Sequence, residues 1–97
     1  MAHPTDALRA HRDAILQLAS HHGVSDVRVF GSVARGDSGP TSDLDLLVKP
    51  GPTVDLLDMI ALERELTECL HVPVQVVSED GLKPWARASI LAEAVPV

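Results

Sequence analysis

Ninety-seven residues, 45% hydrophobic and 23% charged, describe one small globular domain over residues 1–97 and exclude wholesale disorder. Fourteen Asp and Glu against eight Lys and Arg leave a formal charge of -6, which repels phosphate backbones, and Phe30 and Trp85 are too few aromatics to stack bases. With one cysteine, no basic leader ahead of an apolar stretch, and no apolar run near the ~20 residues of a membrane span, the chain reads as cytoplasmic, with no direct nucleic-acid or membrane partner.

From about Asp6 to His22, apolar Leu8, Ile15, Leu18 and Ala19 recur near helical spacing. Thr5 is the expected N-cap and Gly23 the expected stop, with His21 and His22 in the last turn, where positive charge suits the dipole. Val27-Arg28-Val29-Phe30 alternates as a strand ending at Gly31, and Ser32 opens a short helical turn. Asp43 to Val48 is a second strand, stopped by Pro50-Gly51-Pro52. Thr53 is the expected cap of a helix running to Leu70, with Leu56, Met59, Ile60, Leu62, Leu66 and Leu70 on its buried side and Asp55 and Asp58 at its positive end. Cys69 falls in that apolar pattern as a small buried residue. Val72 to Val77 forms a third strand, and Pro84 starts a last helix through Ala94, ended by Pro96. Strands alternating with helices predict an α/β arrangement around a small sheet.

The chemistry concentrates between Phe30 and Val48. Gly31, directly after a strand, lets backbone approach a ligand closely, and free N–H groups at the following helix start can cradle phosphate. Ser32 adds a hydroxyl donor and Arg35 a forked positive charge. Gly31 and Gly36 have the spacing of P-loop glycines, but Asp37 stands where that loop needs lysine, and its carboxylate would repel a triphosphate. Asp43 and Asp45, two apart on a strand, leave the same face, opposite Leu44, Leu46 and Val48. Two adjacent carboxylates are costly unless a cation lies between them, and Mg²⁺, which takes a few carboxylates plus substrate phosphate oxygens, suits the pair. Ser42-x-x-Asp45 also fits a helix capping box, but Pro50 and Gly51 follow too soon for a helix of ordinary length.

Gly31-Ser32, its continuation through Arg35-Gly36, and Ser42-Asp43-Leu44-Asp45-Leu46-Leu47-Val48 occur in order. Together they resemble the minimal nucleotidyltransferases (the MNT group) of the DNA polymerase β-like superfamily. The likeness extends through Gly81-Leu82-Lys83-Pro84 and the tail from Ile90 to Val97.

The resemblance implies a small mixed sheet packed by helices, and attack of a hydroxyl on the α-phosphorus of a nucleoside triphosphate with release of pyrophosphate. It implies Gly31, Ser32, Arg35 and Ser42 as nucleotide-binding residues, with ATP as substrate. Asp43 and Asp45 become the catalytic ligands of Mg²⁺, and two ions with nucleotide bound would lie ~3.5–4 Å apart. It further implies an antitoxin whose partner is a HEPN-type ribonuclease toxin, AMP passing to a tyrosine of that toxin.

The sequence departs from the family where relatives carry a third aspartate, on the next strand. Gln75 takes that place in Val74-Gln75-Val76-Val77, and an amide brings no charge and cannot act as a base. Glu79 and Asp80 are the nearby carboxylates, both in turn-like sequence. Two readings therefore stand: an active adenylyltransferase, or a catalytically impaired module that neutralises its toxin by binding and occlusion. Lys49 shares the strand face of Asp45 and reads as an exposed strand end, Trp85 as a core or interface anchor, and His3, His11 and His71 as surface residues without metal-ligand spacing.

Overall fold

The computed structural model describes residues 3–97. Two short helices, α1 (Pro4–Ala10) and α2 (Arg12–His21), precede strand β1 (Val24–Phe30) and the single-turn helix α3 (Ser32–Arg35). Strand β2 (Leu44–Pro50), helix α4 (Leu56–Leu70) and strand β3 (Val74–Ser78) follow. A 3-10 turn (Glu79–Gly81), helix α5 (Pro84–Glu93) and strand β4 (Val95–Pro96) end the chain. The sheet runs β3-β2-β1-β4. β2 and β3 are parallel, whereas β1 pairs antiparallel with both β2 and β4, so the sheet is mixed as expected.

Strand alternation sorts side chains by face. Val27, Val29, Leu44, Leu46, Val48 and Val74 are buried together with Ile15 and Ala19 of α2 and Leu62, Leu66 and Leu70 of α4. These residues form the core. The other face carries Arg28, Asp45 and Gln75 along with Leu47, which is fully buried. Among the described residues, no helix is long and apolar enough to cross a membrane.

Several local expectations need correction. The first helical stretch is two helices, because the segment between Leu8 and Ala14 offers the core little apolar surface and His11 adopts φ -117, ψ 21. Its cap is His3, not Thr5: the His3 ring accepts from the Thr5 N–H at 3.2 Å, and Pro4, lacking a donor, suits the first helical position. Helix α4 is capped by Asp55 rather than Thr53. The Asp55 carboxylate accepts from Asp58 N–H at 2.9 Å and the Asp58 carboxylate accepts from Asp55 N–H at 3.0 Å, satisfying two end donors reciprocally.

Leu56 and Ile60 are 73% and 46% exposed, not buried. At 100° per residue they point roughly 120° and 160° away from Leu62, outside the stripe that Leu62, Leu66 and Leu70 share. Trp85, at 84% exposure, is no core anchor, and Cys69 is only half-buried against the core. The fourth strand was not expected: two residues, one of them Pro96, carry no strand pattern of their own and pair only because β1 offers an edge. Strand β1 starts three residues earlier than its alternation suggests, with a register shift between Ser25 and Arg28 that accommodates Asp26 at φ 52.

Candidate active site

The site assembles where β1 ends, β2 begins and the chain terminus returns. Pairing sets Phe30 opposite Asp45 across β1 and β2, and Asp45 opposite Gln75 across β2 and β3. Asp45 therefore lies in the middle of three strands, one residue from the Gly31 bend. Gly31 has φ 74 and ψ -152, a conformation that L side chains avoid. A Cβ there would collide with the Asp45 carboxylate, whose carbon would be 3.3 Å away. Glycine is needed at this bend for its backbone and for the space it cedes to the carboxylate.

Asp43 immediately precedes β2, and its Oδ2 accepts a hydrogen bond from the Gln75 side-chain amide at 3.1 Å. Gln75 thus occupies the position on β3 that the sequence assigned to it, as a donor to one acid of the pair. Burial, and then the neighbouring Asp43 charge, push the Asp45 carboxyl above the usual carboxylate range; Glu93 adds to this and Arg35 opposes it. The loop delivering Asp43 is held by its own Ser42, whose hydroxyl accepts from Gly39 N–H at 2.8 Å. It is also held by α1, through Thr5 and Ser38 hydroxyls 3.2 Å apart and through His3, 3.3 Å from the Ser38 carbonyl. Ser42 accordingly acts inside its loop.

Ser32 opens α3 beside Gly31, and Arg35 closes it. The Arg35 guanidinium donates to Asp37 at 3.2 Å and to Glu93 at 3.1 Å. Glu93 is the residue that sequence reasoning missed: its other oxygen accepts from the Gly31 N–H at 2.5 Å. The available signal was a lone acid in the apolar run Ile90-Leu91-Ala92-Glu93-Ala94-Val95. Lys49 is exposed and lies about 13 Å along β2 from Asp45. Glu79 is committed to Arg28 at 3.5 Å, and the Asp80 N–H donates to Ser78.

Among the described residues no three His, Cys, Asp or Glu side chains are set to hold a metal by themselves. Two hard carboxylates with one charge opposing them fit a Mg²⁺ that keeps waters and substrate oxygens in its remaining positions. They do not fit a closed protein cage.

Known proteins share this sequence family and fold. The family model for the nucleotidyltransferase domain matches residues 8–97. A Methanocaldococcus jannaschii protein, provisionally named a protein adenylyltransferase, is 40% identical over 83 residues, covering 86% of this chain and 89% of that protein. A solved structure described provisionally as a minimal nucleotidyltransferase superposes with a TM-score of 0.86 at 48% identity, covering 96% of this chain and 95% of that one. A chain from a complex of tri-AMPylated Shewanella oneidensis HEPN toxin with MNT antitoxin shares the fold at 17% identity, with a TM-score of 0.70 over 91% of this chain and 69% of that one. The chain belongs to the nucleotidyltransferase domain family, in the minimal, MNT-type branch of the DNA polymerase β-like superfamily.

Proposed function

We propose that this protein is an antitoxin that transfers AMP from ATP to a hydroxyl, of the tyrosine class, on a HEPN-type ribonuclease toxin, in the cytoplasm and with Mg²⁺. The observation that carries the reading is the convergence of Asp45 on the Gly31 bend, which brings an acid pair and a donor-rich turn to one place. The adenylyltransferase name of the M. jannaschii relative and the AMPylated toxin in the Shewanella complex support the acceptor class.

In this reading Gly31, Ser32 and Arg35 hold the β- and γ-phosphates, Ser42 shapes the loop beside the nucleotide, and Asp43 and Asp45 are the Mg²⁺ ligands. Mg²⁺, when bound, supplies positive charge that steadies the entering and leaving oxygens. The acceptor hydroxyl oxygen forms its bond to the α-phosphorus as the bond from that phosphorus to the oxygen bridging to the β-phosphate breaks; pyrophosphate leaves and the hydroxyl proton passes to solvent. Arg35 offsets charge building on that leaving group. A cation held beside Asp45 would lower its raised proton affinity, so metal and nucleotide together would make the carboxylate pair favourable.

The test is incubation with labelled ATP, Mg²⁺ and the cognate HEPN protein. Label passes to the toxin with the natural chain and not with the Asp43→Ala, Asp45→Ala double variant; equal labelling by both sinks the reading. A second reading, neutralisation by binding alone, is favoured by Gln75, an uncharged amide bonded to Asp43 where a third acid would serve. It predicts that the double variant still silences the toxin at equal dose.

A further inference from the structure

We propose that Glu93 is an internal stand-in for phosphate: its carboxylate holds the Gly31 N–H and the Arg35 guanidinium, the two donors an incoming triphosphate needs, and so sets how tightly nucleotide binds. The inference rests on the nucleotide-site reading above. One oxygen of Glu93 accepts from Gly31 N–H and the other from Arg35, so two oxygens of one anion bridge a main-chain donor and a guanidinium. Two oxygens of a phosphate group present the same acceptors to the same donors.

The position of Glu93 follows from the fold. Val29 pairs with Val95 in an antiparallel ladder, so the residue two before Val95 comes opposite the residue two after Val29. Those residues are Glu93 and Gly31. The Val97 N–H, donating to the Val27 carbonyl at 3.1 Å, extends the same ladder and fixes its register.

Displacement is inexpensive. No residue of helix α5 is fully buried, and although the Glu93 side chain is only 23% exposed its partner Arg35 is half exposed, so solvent screens the ion pair that is released. The carboxylate also adds negative charge near Asp45, which a triphosphate must overcome. Glu93 is therefore a competitor in place before the ligand arrives.

Calorimetric titration of the full chain tests this, using ATP with Mg²⁺, inorganic tripolyphosphate and adenosine as separate probes. Glu93→Gln keeps the side-chain length and an acceptor for Gly31 but loses the charge that holds Arg35. ATP and tripolyphosphate should bind the variant about fivefold more tightly, with adenosine unchanged. Glu93→Asp, which keeps the charge but is one methylene too short to span both donors, should show the same gain and serves if Glu93→Gln fails to fold. Unchanged or weaker triphosphate binding in a folded variant, with the natural chain binding normally, overturns the inference alone. If neither ATP nor tripolyphosphate binds the natural chain or any folded variant, the nucleotide-site reading falls with it.

Discussion

The two faces of the sheet are built on opposite terms. Toward α2 and α4, the buried strand residues are all aliphatic, and Leu44 and Leu46 of β2 and Leu62 of α4 are fully buried. On the other face the same strands carry Arg28, Asp45 and Gln75, and the nearby α5 buries nothing. Because alternate residues of one strand serve the two faces, Leu44 and Leu46 anchor the backbone that aims Asp45. Stability and chemistry are thus separated by a single residue's step, and the charged face tolerates its repulsion because the apolar face holds the strand still.

Removing the acid pair gives the sharpest contrast. The Asp43→Ala, Asp45→Ala chain should lose AMP transfer by about 10²–10³-fold or more, with its thermal midpoint no lower than that of the natural chain; activity near that of the natural chain would show that the charged face is not the reaction centre. On the opposite face, Leu62→Ala should cost about 2–5 kcal/mol in urea unfolding, whereas Leu57→Ala, at an exposed position of the same helix, should stay within about 0.5 kcal/mol. Equal losses at both positions would erase the distinction between the helix stripe and its open side.

Gln75→Asp replaces a donor to Asp43 with a third carboxylate, and turnover at saturating Mg²⁺ should rise about tenfold or more. A fall would show that the amide is the better partner here. The smallest effect concerns stability. Folded Asp45 binds its proton more tightly than the unfolded chain does, so its contribution is favourable at low pH and is lost as pH rises through the ordinary carboxylate range toward the raised folded value. In EDTA, Asp45→Asn should therefore raise Tm at neutral pH, with the gain vanishing below about pH 3.9. A gain independent of pH would assign the effect to packing.

The parts of the molecule legible from sequence are those written in local pattern. Gly31-Ser32, the Asp43-x-Asp45 spacing and the alternation around Leu44, Leu46 and Val48 marked the site segments and the strand that joins them. The strand pattern of Val74 to Val77 also carried Gln75, which the structure sets opposite Asp45. What escaped depends on contacts distant in sequence. Glu93 reaches Gly31 across 62 positions, through a two-residue strand with no signature of its own. The exposure of Leu56 and Ile60 escaped for a different reason. Composition marks them apolar, but only the angle of the Leu62 stripe shows which side of α4 meets the sheet.

The Gly31 bend and the Asp45 carboxylate share one volume, so these two positions form an interlocked pair in any mutational path. A side chain at position 31 must first evict the acid, and loss of the acid removes the steric reason for glycine while the left-handed backbone still demands it. Drift at position 31 is therefore opposed by the acid and by the backbone together. A library that randomises position 31 alone will explore almost no folded, competent neighbours.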